Sequence, residues 1–220
     1  MRSGWAFVGA AVLAAGCAAT GFERGESAAE SVRRFQASLA SVQEQIGASM
    51  TALDAVLGAS EQPLADRFRA FSYTVDGVLS GESGAKSAHK GMKQAGEARF
   101  RSWQEESKSI ANADMKAASE RRAGEVKADF DAALAAGDET LQRLAAFTAD
   151  LGDYRKFLSS DLSVQGIKAA QGISENVRSG GAAFDKSVKA TTPPLEKAIQ
   201  SLAAAPPLPP SEPPPSEPAK

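Results

Sequence analysis

Cys17 is the only thiol in this 220-residue chain, and His89 is the only imidazole. A thiolate can be acylated, bind a metal or close a disulfide, but the last two need partners of the right type nearby. One cysteine cannot form an internal disulfide, and no cysteines or histidines stand at metal-ligand spacing from Cys17 or His89. His89 sits among Ser, Lys and Gly, where a solvent-exposed side chain is expected. The carboxylates recur at helical surface intervals, and no isolated apolar pocket is expected to raise one of them for acid catalysis. Gly-rich phosphate loops are absent too. These residues predict no enzyme, no cofactor and no metal. Cys17 is the one position whose type and setting point to a chemical event.

Its setting is an export leader. Arg2 supplies a positive start, and Trp5 to Leu13 with the following alanines supply an apolar run, short of the roughly 20 residues a membrane span needs. Leu13-Ala14-Ala15-Gly16-Cys17 resembles a bacterial lipobox, with the departure that Ala14 stands where Leu is preferred. The resemblance implies cleavage before Cys17, a diacylglyceryl group on its sulfur and an N-acyl chain, enough for stable anchoring. Ala18 and Ala19 follow where an Asp would signal inner-membrane retention, so the outer membrane is implied, with the periplasm as the alternative location. The competing readings are ordinary Ala-x-Ala cleavage, which leaves a soluble periplasmic protein or a free thiol, and an uncleaved anchor.

The rest of the chain builds a scaffold and little else. Without residues 1–16, which hold one basic and no acidic residue, the formal charge moves from -2 to -3, so nucleic acid is not an expected partner. Ser27-Ala28-Ala29-Glu30 fits a capping box and predicts a helix start. Val32, Phe35, Leu39, Val42, Ile46, Leu53 and Val56 then recur at alternating steps of three and four, a coiled-coil seam interrupted only by Ser49. Gly58 offers the stop, and Ser60 to Pro63 reopens a second helix. Leu64, Phe68, Phe71, Val75, Val78 and Leu79 carry its face. Gly81, Gly84, Gly91 and Gly96 weaken the second half of this helix, each by roughly 1 kcal/mol against alanine. That stretch reads as a bendable helix, with a loop near Ser80 to Ala85 as the alternative.

A cap at Asn112 predicts a third helix with Val126, Phe130, Leu134, Leu141, Leu144, Phe147, Leu151, Tyr154 and Leu158 on its stripe. Asp161 or Ser163 caps a fourth, which Thr192-Pro193-Pro194 is expected to break before a short final helix. Pro206 to Pro218 holds eight of the eleven prolines and reads as an extended, disordered tail. The fold class is therefore all-α, an elongated antiparallel four-helix bundle with coiled-coil-like packing. The expected divisions are 1–16 leader, 17–26 lipidated cysteine and tether, 27–204 bundle, and 205–220 tail. Because the second and third helices are the longest, their hairpin is expected to project beyond the others over Glu97 to Glu125.

Three stretches carry a family resemblance: Phe100-Arg101-Ser102-Trp103-Gln104-Glu105-Glu106, Asn112 to Arg121, and Phe157-Leu158-Ser159-Ser160-Asp161-Leu162. Over Glu97 to Gln171 the chain resembles exported bacterial helical proteins, many of them lipoproteins, grouped as a domain of unknown function of the DUF2959 type. The resemblance implies a helical fold and an envelope location, and it supplies no activity.

Phe100, Trp103, Asn112, Asp114 and Arg121 are the candidate partner surface at the hairpin tip. Against this stands packing of Phe100, Trp103 and Ile110 across the hairpin onto Met115, and a plain solvated face for Asp114, Glu120, Arg121 and Arg122. Lys220 follows the proline spacer and resembles the terminal lysine by which the major outer-membrane lipoprotein is joined to peptidoglycan, although Ala219 replaces the basic residue expected before it. The leading expectation is a non-enzymatic envelope lipoprotein, membrane-held at Cys17, that presents its hairpin away from the membrane to envelope proteins or peptidoglycan. A lipid or small-molecule binder using a cavity at Gly77 to Gly96, and a homo-oligomer pairing through Val32 to Val56, are the alternatives.

Overall fold

A computed structural model describes residues 20–58 and 63–203. They form α1 (Gly21–Leu57), α2 (Leu64–Lys108), α3 (Ala113–Ser160) and α4 (Val164–Ala203). Each helix packs on two neighbours in the cyclic order α1, α2, α3, α4, which is the up-down-up-down bundle that short connections impose. Every large apolar residue of the first stripe is buried inside this one chain, from Val32 through Val56, and Ser49 is buried with them. That seam is therefore occupied by packing within one chain.

The weak stretch of the second helix is helical throughout, because its buried face keeps heptad spacing while changing residue type. Phe71, Val75 and Val78 give way to Ala85, His89, Met92, Gly96 and Arg99 on the same side of α2. Tertiary burial of that face outweighs the glycine penalty, since packing contributes most of a helix's stability in a protein. His89 is thus not solvent-exposed, as its neighbours in sequence suggested, but 7% exposed. It sits against Phe35 with ring centroids 4.9 Å apart, and its Nε2 lies 3.3 Å from the Leu134 carbonyl. A Cβ at Gly137 would come within 2.9 Å of the imidazole, so the glycine is what lets α3 approach it.

Two boundaries differ from the sequence expectation. Helix α1 starts at Gly21 instead of Ser27: the Thr20 side chain accepts from the Glu23 amide at 3.2 Å, and Glu23 accepts from the Thr20 amide at 2.5 Å. A capping box six or seven residues upstream is satisfied first, and Gly25, Ala28 and Ala29 are then buried as helical residues. Residues 21–26, expected as tether, are the first turns of α1.

The second difference lies in α4, which continues through Pro193 and Pro194. Each proline removes one helix hydrogen bond and costs on the order of 3 kcal/mol in a helix interior. Two features offset this. Leu195, Ala198 and Leu202 extend the buried face beyond the prolines, and ending the helix would expose all three. One turn earlier, Thr191 Oγ1 donates to the Ala136 carbonyl at 3.2 Å, and Thr140 and Ser187 complete a buried hydroxyl chain at 2.7 Å each. With the Thr191 proton on that carbonyl, Thr140 donates to Thr191 and Ser187 donates to Thr140. The chain clamps α4 to α3 where the prolines weaken it.

The expected projection of Glu97 to Glu125 is shortened for related reasons. Arg24 in the second turn of α1 pairs with Glu106, and Arg122 donates to the Ser201 carbonyl at 3.3 Å. The ends of α1 and α4 therefore flank the hairpin up to Glu106 and Arg122. Residues 107–121 alone extend past these last cross-links: the final two residues of α2, the connecting turn and the first nine residues of α3.

Candidate functional site

Even packing would leave the hairpin tip featureless, but the seam between α2 and α3 is the sparsest of the four. Gly96 lies under the Phe130 ring so closely that a Cβ would overlap it. Phe100 meets Phe130 edge to face at 5.6 Å. Beyond this contact Ala123 and Gly124 offer no side chain to close the gap, and a groove of about 930 Å³ opens between the helices. Phe100, Phe130 and Leu134 form its apolar wall, and Lys93, Arg101, Lys108, Lys116 and Lys127 stand on its rim with Glu97, Glu120 and Asp131. Asp131 is held by Lys127 at 2.6 Å. Among the described residues, Lys93, Arg101 and Lys116 have no ion-pair partner.

Trp103 faces elsewhere. Its indole Nε1 donates to Ser119 Oγ at 3.1 Å across the hairpin, and the Arg99 guanidinium lies 4.2 Å above its ring. Arg99 is 8% exposed, and its Nε and Nη1 have no hydrogen-bond partner among the described residues. Burial lowers its pKa, while the nearby charge of Glu106 works in the opposite direction. This guanidinium occupies the junction where Gly21 and Gly25 of α1 and the Leu202 carbonyl of α4 converge on α2.

Phe100 thus lines the groove and Trp103 ties the hairpin together on another side. Asn112 caps α3 by accepting from the Met115 amide at 3.0 Å. Asp114 and Arg121 are exposed beside the turn and do not line the groove. Met115 is 65% exposed and does not receive the aromatic packing anticipated for it. Cys17 and Lys220 lie outside the described residues.

Sequence reasoning missed Lys93, Lys116, Gly124 and Leu134 as parts of one site. The available signal was the run of small residues at Gly96, Ala123 and Gly124, opposite the aromatic pair. The glycine stretch from Gly77 to Gly96 holds two smaller surface grooves instead, about 500 Å³ beside Gly84 and Gly91 and about 470 Å³ beside Gly77. Among the described residues no cluster of three His, Cys, Asp or Glu is placed to hold a metal, and no helix is long and apolar enough to cross a membrane.

No curated protein and no solved structure matches this chain. A family model described as protein of unknown function (DUF2959) matches residues 16–202, and the chain belongs to that family.

Proposed function

We propose that the chain is a lipid-anchored, non-enzymatic structural and protein-interaction module of the bacterial cell envelope. The observation that carries this reading is Leu13-Ala14-Ala15-Gly16-Cys17, followed after two residues by the Thr20 cap of a rigid bundle. A span so short between the acylated residue and a 37-residue helix leaves little freedom of orientation. Its charged side chains are largely engaged in ion pairs along and between helices, such as Arg155 with Asp76 at 2.5 Å and Lys197 with Asp129 at 2.8 Å. That arrangement suits a scaffold.

The up-down topology supports the opposite orientation to the one anticipated from sequence. The first turn of α1, the turn between α2 and α3, and the end of α4 lie together at one end of the bundle, tied by Arg24 with Glu106 and Arg122 with Ser201. An anchor at Cys17 would hold this end, with exposed Met115 near it, against the membrane. The partner surface for envelope proteins would then be the far end, around Gly58 and Asp161, carried by α3 roughly 70 Å from the membrane at 1.5 Å per residue. The tail beyond Ala203 would start at the membrane side, so Lys220 would reach peptidoglycan only by extending along the bundle.

Intact mass and membrane fractionation of the natively expressed protein beside Cys17→Ser test the proposal. A diacylated, N-acylated chain beginning at residue 17 in outer membranes, converted by the substitution to a soluble form, is expected. Cleavage elsewhere with a soluble wild type overturns the anchored reading. Lysozyme treatment of the same membranes reports Lys220 attachment separately, as an added fraction of higher mass.

A further inference from the structure

We propose that the groove between α2 and α3 is a binding site for a long-chain fatty acid, with the carboxylate among Arg101, Lys108 and Lys116 and the acyl chain along Phe100, Phe130 and Leu134. Its volume of about 930 Å³ is that of a small-molecule site, which typically spans roughly 300–1,000 Å³. From Lys93 to Lys108 it runs about 22 Å along α2 at 1.5 Å per residue, long enough for an extended acyl chain. The Phe100 and Phe130 rings give such a chain an apolar surface to lie on.

Charge selects the head group. Five lysines and arginines and three acidic residues line the groove, whereas the whole chain carries a formal charge of -2. Lys127 already holds Asp131, and Lys108 is paired with Glu105 at 2.7 Å. Arg101 and Lys116 stand unpaired at the tip end, from opposite helices, while the aromatic pair lies deeper. Glu97 and Glu120 also stand on the rim, and both are exposed to water that screens their repulsion. The groove therefore has a cationic mouth and an apolar interior, the reverse polarity of the net charge around it. Lys116 and Lys108 act as point charges toward a carboxylate, and Arg101 adds a planar fork that can bind both oxygens.

The inference concerns the bundle alone and does not depend on the Cys17 anchor, so the Cys17→Ser full chain is the protein to use. Calorimetric titration with palmitate is expected to show saturable one-to-one binding that weakens as the chain is shortened to octanoate. Hexadecyltrimethylammonium, with the same tail and the opposite charge, should bind at least tenfold more weakly. Gly124 faces open space, so Gly124→Leu fills the groove and also replaces a poor helix former with a good one. It should keep full helicity by circular dichroism and lose at least tenfold in palmitate affinity. Arg101→Glu with Lys116→Glu, both on the surface, should lose a similar factor and flatten the salt dependence. Absence of saturable palmitate binding to the folded chain overturns the proposal. So does binding that Gly124→Leu and the charge-reversed pair both leave unchanged. Binding to phosphatidylglycerol vesicles without one-to-one palmitate binding would assign the basic rim to a membrane surface and would equally overturn it.

Discussion

The two ends of the bundle use the same heptad spacing with different volumes. At the far end, where α1 meets α2 and α3 meets α4, the seam positions hold Leu53, Val56, Phe71, Val75, Leu151, Tyr154, Leu158 and Val177. At the tip end smaller residues enter the seam: Gly25, Ala28, Ala29, Gly96 and Ala198 are buried there with Arg99, beside Val126, Phe130, Leu195 and Leu202. Large residues fill the first end with apolar side chains, whose burial contributes roughly 1.5–3 kcal/mol each. Small residues let backbones approach at the second, as where Gly25 rests on the Leu202 carbonyl, and they leave a groove where no side chain fills the gap. Stability and recognition are thereby separated along one rod. The same pattern of spacing does not imply the same kind of core.

Substitutions at the two ends should separate most clearly in unfolding experiments. Leu151→Ala, at a fully buried far-end position, is expected to destabilise by about 3 kcal/mol in urea denaturation through lost burial and a residual cavity. A loss below about 1 kcal/mol would mean that the far end is loosely packed and would erase the contrast.

Gly96→Ala comes next. The new Cβ would overlap the Phe130 ring, so overpacking of about 1–3 kcal/mol competes with a helix-propensity gain of roughly 1 kcal/mol. Net destabilisation is expected, whereas Gly124→Ala, facing open space on the groove, should stabilise by up to about 1 kcal/mol. Opposite signs for two glycine substitutions in one hairpin would localise the close approach; equal signs would remove it.

Arg99→Met should raise the melting temperature, because it replaces a buried guanidinium with two unpartnered nitrogens by an apolar side chain of similar length. The gain is expected to be on the order of 1 kcal/mol, reduced by the lost stacking on Trp103. A fall in melting temperature would show that Arg99 is satisfied by water or a ligand and stabilises the tip.

Tyr154 provides the mildest probe of the far end. Burial pushes its phenol up to about 12, while the hydroxyl donates to the Ala170 carbonyl at 2.8 Å. A phenol pKa raised on folding stabilises fully below the unfolded value near 10 and loses that contribution as pH rises through the folded value. Stability should therefore fall between about pH 10 and 12, and Tyr154→Phe should flatten that limb while costing about 1 kcal/mol at neutral pH for the lost hydrogen bond. An unchanged alkaline limb would place its cause elsewhere.

Most of the fold was legible because seams of Val, Leu, Ile and Phe at steps of three and four leave a helix only one way to bury them. The Asn112 cap and the turn it opens were legible as well, since a capping side chain acts on amides two or three residues away. Three readings failed where the deciding partner was distant in sequence. His89 looks polar among its neighbours and is buried because Phe35 and Gly137 converge on it. Pro193 and Pro194 look like a break and are bridged because Thr140 and the α3 backbone hold Thr191. The groove was not visible as a site because its walls come from two helices read separately.

Local sequence determined the element types, the caps and the bundle class, since periodicity and capping act within a turn or two of helix. It also supplied the Cys17 motif that carries the functional proposal. Only the tertiary structure decided that Arg24 pairs with Glu106 and Arg122 with the Ser201 carbonyl where the start of α1, the hairpin and the end of α4 meet, and that a basic-rimmed groove lies between α2 and α3. The reason is physical: burial, charge pairing and empty volume depend on which surfaces are brought together, and a helix records its own face but not the surface opposite it.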